Sequence, residues 1–269
     1  MTQDNPSLQK SETVASDNET SAIDLLNGAD VVQAVLGNAY PQMLRFHEMI
    51  QREGLVRGLI GPRDVSIIWE RHILNSAAVV PFIKQHLNTH HGSGRIADIG
   101  SGGGFPGIVI AAMLPDTPIT LIEPMERRVE WLELVKSELH LDNATVLRAR
   151  AEEAFPVALA RASHPGHSHK SKNHHKDGQS SMNVVTKSIE PCSLVTCRAV
   201  APLHKLVGWT LPFLEHSGQL VALKGKSAQT EIEKAAKNIQ RMHGHHARVV
   251  EAPVGEGLES THVVIVDKQ

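Results

Sequence analysis

Cysteine is almost absent from this chain. Among 269 residues only Cys192 and Cys197 occur. Two thiols so close together cannot build a disulfide framework, and a reducing cytoplasm is the expected compartment. Aromatic residues make up 3% of the chain, too few for recognition by rows of stacked bases. No apolar run approaches the roughly 18–20 residues that span a bilayer, so no membrane partner is expected. Residues 1–20 lack an apolar stretch, so no signal peptide is expected either. Net charge is only −2. That excludes a globally basic nucleic-acid coat but leaves room for a local basic patch.

The rest is ordinary globular protein, with 41% hydrophobic and 21% charged residues. The length allows one large domain, or one domain with a small appendage, with a core that needs no staples. Residues 1–20 read as a disordered polar tail. From 21 to 90 the pattern is helical, with Val31, Val32, Val35 and Leu36, then Leu44, Phe46, Met49 and Ile50, at helical spacing. Gly58, Gly61 and Pro62 punctuate this stretch, and Asp64 is a candidate N-cap.

After Gly92 the period changes. Short apolar runs at Arg95–Gly100, Ile119–Glu123, Thr145–Arg148, Leu194–Cys197, Gln219–Leu223, Ala247–Val250 and Val263–Val266 predict seven strands. Helical patterns at Phe105–Leu114, Glu126–Leu141, Leu203–Leu214 and Ala228–Met242 lie between most of them. Such alternation predicts an α/β doubly wound, mostly parallel sheet. The last two runs are joined by too few residues for a crossover helix and predict an antiparallel hairpin. Residues 162–187 carry five histidines, many Ser and Lys, and few apolar groups. They read as a disordered insertion, and without a Cys or carboxylate framework no metal site is expected there.

The most informative run is Asp98-Ile-Gly100-Ser-Gly102-Gly-Gly-Phe105-Pro-Gly107, placed between a strand and a helix. Glycines let the backbone turn tightly and approach a ligand. Gly102-x-Gly104-x-x-Gly107 spells a dinucleotide fingerprint, but the frame that starts where the strand ends, at Gly100, puts Phe105 in the third glycine position. Charge also discriminates. An Asp98 carboxylate at this bend repels a pyrophosphate and attracts the ammonium and sulfonium of S-adenosylmethionine. The methyl donor is therefore favoured over NAD. Glu123 ends the second strand, where a carboxylate can accept both ribose hydroxyls of either cofactor. Ala151-Glu152 follows the third strand, where an adenine edge can meet a backbone amide; Glu152 can equally be a helix-capping acid.

At these residues the chain resembles the bacterial ribosomal RNA small subunit methyltransferase G family. The matching blocks are Arg71-His72-Ile73 with Asn75-Ser76, Arg95 to Gly107, Arg127-Arg128-Val129, Arg198 to Leu203, and Ala222 to Gly225. They run in order over roughly residues 40–267. The resemblance implies a class I S-adenosylmethionine-dependent methyltransferase, with a Rossmann-like domain at 91–269 and a helical extension at 21–90. It implies methylation of guanine N7 in 16S rRNA (guanine 527, in the 530 loop), with Gly100, Phe105, Ala151, Glu152 and Arg198 as cofactor contacts. The partner implied is 16S rRNA or the small ribosomal subunit, met by a cytoplasmic monomer. Two departures stand out. The His/Ser/Lys insertion is not part of the family pattern, and Phe46-His47 and Gly54-Leu55-Val56 replace the Trp-Asn and Asn-Leu-Thr residues usual in the extension.

Guanine N7 bears a free lone pair and no proton, so its methylation needs alignment rather than a general base or a covalent nucleophile. The positioning candidates are Arg198, Lys224 and His72. Arg198, at the carboxyl end of the fourth strand, can hold a phosphate or base edge, or form a surface ion pair. Lys224 can reach RNA phosphate. His72 can hydrogen-bond a base or cap a helix. Arg71, Arg127 and Arg128 make a basic rim for RNA or a solvated helix face. Pro191-Cys192 and Thr196-Cys197 look like fragments of RNA cytosine-5 methyltransferases, but Pro-Cys precedes its strand, at the wrong end of the sheet. Three other readings stay open: a methyltransferase for a small molecule or protein, an NAD-dependent oxidoreductase, and a non-catalytic RNA-binding protein.

Overall fold

The computed structural model describes residues 24–155, 188–198 and 200–269. The acidic N-terminal stretch and the His/Ser/Lys-rich insertion lie outside the described residues. The sheet is built from β1 (Ile96–Ile99), β2 (Ile119–Ile122), β3 (Ala144–Leu147), β4 (Cys192–Arg198), β5 (Leu214–Lys224), β6 (Gly244–Ala252) and β7 (Thr261–Lys268). Their order is β3-β2-β1-β4-β5-β7-β6. Only β7 runs antiparallel to its neighbours, and it forms the expected hairpin with β6. All four residues of β1 are buried, because a central parallel strand is covered on both faces and needs no polar alternation.

Helices α4 (Gly107–Met113) and α5 (Glu126–Glu138) cover one face of the sheet, and α6 (Leu203–Thr210) and α7 (Ala228–Arg241) the other. The extension contributes α1 (Asp30–Leu36), α2 (Tyr40–Glu53) and α3 (Val80–Thr89). In α2 the stripe Met43, Phe46, Met49 and Ile50 is buried at helical spacing. It joins the core formed by α4, α5 and the sheet, so extension and sheet share one apolar interior. Asp24 pins the start of the extension. Its carboxylate accepts hydrogen bonds from the Trp69 backbone at 2.9 Å and from His47 Nε2 at 3.1 Å.

Between α2 and α3 a 3-10 turn (Pro62–Ile67) leads into a π-helical segment (Trp69–Leu74). Gly61, not Asp64, occupies the N-cap of the 3-10 turn. Asp64 sits one turn in, and its Oδ2 accepts from the Gly61 N–H at 3.3 Å. Two further boundaries differ from the sequence reading. β5 begins at Leu214 rather than Gln219, because Leu214 already pairs with Cys192; the polar residues Glu215 to Gly218 bulge out before the ladder resumes at Gln219. The helix at Leu203 stops at Thr210, where Pro212 removes a backbone donor and a 3-10 turn (Leu211–Phe213) follows.

Candidate active site

The carboxyl end of β1 turns at Gly100, whose φ of +72° is the left-handed conformation glycine adopts without strain. The N–H groups of Gly100 and Ser101 donate to the Ile122 carbonyl, which ties the turn to β2. Gly107 is needed for space. A Cβ there would fall 2.5 Å from Asp98 Oδ2.

Asp98 lies beneath this turn. Its side chain is fully buried and is not part of any cleft wall. Oδ2 accepts from the Gly107 N–H at 3.1 Å, whereas Oδ1 is buried without a partner. Burial pushes its pKa up to about 7, against the opposing pull of the Gly107 N–H and Arg198. The expectation that an Asp98 carboxylate meets the cofactor cation in the cleft is thus corrected. Alternation along β1 turns Asp98 toward the start of α4, so it supports the turn from behind.

A cleft of about 670 Å³ opens beside the turn, with Gly100, Ala151 and Glu152 in its wall. The size suits a nucleoside-containing ligand. Trp209, Arg148 and Arg150 also line it and were missed by the sequence reading. Trp209 carries one detectable signal: it falls off the buried stripe of α6, Leu203, Leu206, Val207 and Thr210.

Glu123 is 2% exposed at the end of β2, between the wall residues Ile122 and Pro124. One oxygen accepts from the Gly102 N–H at 2.9 Å and the other from the Met125 N–H at 3.0 Å. A carboxylate accepts about four hydrogen bonds, so two acceptor positions remain unused, although the side chain itself lies behind the wall rather than on it. Gly102 itself is not in the wall; its N–H is spent on Glu123.

Phe105 is likewise not on the wall. It is 4% exposed and packed among the rings of Phe46 at 5.2 Å and His72 at 5.0 Å, with the Arg198 guanidinium at 4.8 Å. Its side chain plugs the core, which leaves only its backbone as a cofactor contact.

A second cleft, of about 1020 Å³, lies at the carboxyl ends of β4 and β5, on the β5 side of the switch point between β1 and β4. Arg71, His72, Arg198 and Lys224 all line it. Val200 belongs to both cleft walls, and a Cβ on Gly100 would touch it at 3.0 Å, so the two clefts flank the same residue beside the turn. Arg198 is therefore placed on the second cleft rather than the first. Its Nη2 donates to His72 Nδ1 at 2.8 Å and its Nη1 to the Arg71 carbonyl at 3.1 Å. Burial lowers its pKa to about 10, which leaves it charged.

Because arginine only donates, His72 Nδ1 must be an acceptor and Nε2 carries the proton. Nε2 stands 3.3 Å from Asp64 Oδ2. Burial, aided by Arg198, lowers the His72 pKa to about 4, so the ring is neutral. Asp64 also pairs with Arg71 at 2.9 Å. Its part in this chain from carboxylate to guanidinium was not visible as an N-cap.

Lys224 does not reach outward. Its Nζ donates to the Ala201 carbonyl at 2.6 Å and pairs with Glu231 at 2.8 Å, and the side chain is 7% exposed. The expected phosphate contact is corrected: this charge is committed inside the protein. Of the basic rim, Arg127 is exposed and Arg128 half-buried, and neither lines a cleft. Arg128 lies against the glycine turn, its Nη1 4.0 Å from a Cβ built on Gly102. Exposed Lys234 adds positive charge to the second cleft. Cys192 and Cys197 are buried in β4, and burial pushes both thiols up to about 12, so neither is a thiolate.

Strand order, the lone antiparallel β7 and a glycine turn facing an acid at the end of β2 define a class I S-adenosylmethionine-dependent methyltransferase fold. The sequence profile described as rRNA small subunit methyltransferase G matches residues 39–182 and 178–258. Its two segments meet inside the His/Ser/Lys-rich insertion. Proteins named ribosomal RNA small subunit methyltransferase G are similar along most of their length. That of Bifidobacterium longum is 51% identical over 246 residues, 91% of this chain and 99% of its own. That of Bifidobacterium adolescentis is 51% identical over 249 residues, 91% and 96%. The Beutenbergia cavernae protein is 37% identical over 248 residues, 92% and 98%. The chain belongs to the rRNA small subunit methyltransferase G family.

Proposed function

We propose that this chain transfers a methyl group from S-adenosylmethionine to N7 of a guanine in 16S rRNA, guanine 527 of the 530 loop by resemblance to its family. The observation that supports this reading is a pair of adjacent clefts on either side of Val200, beside the glycine turn, in a member of that family.

When bound, the cofactor supplies an electrophilic methyl group on a sulfonium. Gly100, Ala151 and Glu152 line its space, and Glu123 stands behind that wall with two acceptor positions unused. The second cleft takes the guanine. Arg198 hydrogen-bonded to neutral His72, with the Arg71–Asp64 ion pair beside them, forms a wall that holds the base edge or its phosphate in one orientation. Two of the Arg198 nitrogens are already engaged, so its plane is fixed before RNA arrives.

N7 carries no proton, and the reaction asks nothing of a base. Neutral His72 and the two protonated thiols agree with that. Arg71 and Lys234 supply exposed charge for the RNA backbone. Among the described residues no helix is long and apolar enough to cross a membrane. We take the working form to be a cytoplasmic monomer acting on the ribosomal subunit or its RNA.

The test is to map N7-methylguanine in 16S rRNA from cells with and without this protein. Loss of one modified guanine, restored by adding the protein back, is the expected result. Unchanged rRNA, with donor label entering a small molecule or another protein, would overturn the acceptor assignment. Binding of NADH without adenosylmethionine would overturn the cofactor.

A further inference from the structure

Five imidazoles gather at the opposite end of the sheet. His86 and His90 come from the end of α3, His216 from the start of β5, and His245 and His246 from the start of β6. With Asp267 of β7 they line one cleft of about 470 Å³. None of its wall residues belongs to either cleft of the active site. β5 starts here and ends at Lys224 in the second cleft, so a full strand length separates the two places.

Neighbours along a strand normally face opposite sides. Here the pairing of β6 with β7 slips between His245 and Arg248, and His246 adopts a φ of +47°. Bulges re-aim side chains in this way. The two rings lie with centroids 4.5 Å apart. As a result His245, His246 and Asp267 each place a ligand atom within 4.8 Å of the others. His246 Nδ1 stands 3.6 Å from Asp267 Oδ2.

Two of the lining histidines carry unsatisfied imidazole nitrogens. His245 Nδ1 is buried without a hydrogen bond. Both ring nitrogens of His86 are buried without one, on a residue only 5% exposed. Such atoms are uncommon in folded proteins. His90 stacks on His86 at 4.1 Å.

We propose that this cleft is a divalent transition-metal site, with His245, His246 and Asp267 as ligands and Zn²⁺ as the ion it suits best. Two imidazoles and one carboxylate are borderline donors, which select Zn²⁺, Ni²⁺ or Cu²⁺ over Mg²⁺ and Ca²⁺. His246 is 76% exposed, so its ring is free to rotate inward to the zinc–nitrogen distance of about 2.0–2.1 Å. The Gln219 Nε2 donates to Asp267 Oδ1 at 2.7 Å and orients the carboxylate, as outer partners of metal ligands do. A water or a further imidazole from the cleft fills the remaining position. The Arg248 Nη1 competes, holding Asp267 Oδ2 at 3.0 Å, but this side chain is 44% exposed and can withdraw to solvent. Lys268 is occupied by the Met242 carbonyl at 2.8 Å. The ion would cross-link β6 to β7, a structural role remote from methyl transfer.

The experiment titrates zinc into the full chain, without an affinity tag, and follows its thermal midpoint. Four proteins are compared: the native chain, His246→Asn, Arg248→Gln, and a chain whose insertion histidines (residues 164, 167, 169, 174 and 175) are serine. Asparagine tolerates the positive φ at 246, so the fold is kept. In the native and insertion-substituted chains the midpoint should rise by roughly 5–10 °C at zinc about 100-fold above its Kd. His246→Asn should lose the rise, and Arg248→Gln should bind zinc more tightly than the native chain. Methyl transfer should be unchanged in all four. No rise in the native chain, an undiminished rise in His246→Asn, or a rise that vanishes with the insertion histidines would each overturn the assignment.

Discussion

Replacing Asp98 by asparagine should make stability less sensitive to pH, and the size of the effect follows from where the carboxyl lies. Asp98 is fully buried, and its pKa is pushed from the ordinary 3.8 up to about 7. The folded protein therefore holds a proton that the unfolded chain has already released between about pH 4 and pH 7. In that window stability falls as pH rises, and above pH 7 the loss is complete. The displacement corresponds to roughly 4 kcal/mol. Asparagine cannot ionise, so the variant lacks this slope. It carries its own penalty, because an amide NH₂ would stand where Oδ1 now has no partner, at a cost of about 1–3 kcal/mol that does not vary with pH. The Gly107 N–H keeps its acceptor. Urea unfolding of both proteins from pH 4.5 to 8.5 measures the difference directly, with all other titrating groups cancelling. The variant should gain on the native protein by several kcal/mol across that range, almost all of it below pH 7. A difference that stays flat would show that Asp98 ionises normally and would refute the reasoning.

Gly100→Asp places a branched carboxylate at a φ of +72°, against Val200 and in the cofactor cleft. S-adenosylmethionine affinity should fall at least about 100-fold by calorimetry, through strain and lost space; normal affinity would move the cofactor elsewhere. Lys224→Met leaves Glu231 and the Ala201 carbonyl without their partner. It should cost about 2–3 kcal/mol in urea unfolding while the salt dependence of RNA binding keeps its slope; a slope reduced by about one would mean that Lys224 does neutralise a phosphate. Cys192→Ala and Cys197→Ala should both retain methylation, since each thiol is protonated and buried. A variant that binds cofactor yet transfers nothing would restore a covalent role.

Much of the fold was legible because its signals are local. The seven apolar runs, the glycine turn after β1 and the short link before β7 each report a backbone preference that needs no distant neighbour. Gly100, Ala151 and Glu152 share one cleft for the same reason: they follow the ends of strands in a sheet whose order follows from its alternation. Asp98, Phe105 and Lys224 were misjudged because residue type and position along a strand do not give burial or partner. Asp98 and Lys224 look like available charges until Gly107 and Glu231 are seen beside them. Trp209 and Asp64 joined the site from elements far away in the chain, and the histidine cleft draws on four separate elements.

From the residues alone came the layered α/β architecture, the position of the glycine turn after β1, the acid at the end of β2 and the family. All of these rest on short-range geometry: glycine conformations, strand and helix periods, and the spacing of motifs. Only the folded molecule decided which charges are free and which are paired, which face of β1 Asp98 takes, that two clefts share Val200 as a wall residue, and that a bulge in β6 turns two neighbouring imidazoles to one side. Some of those outcomes depend on packing between distant segments, as when Arg198 meets His72; others, such as Lys224 with Glu231 and Asp98 with Gly107, join residues near in sequence whose meeting depends on side-chain direction in the folded chain.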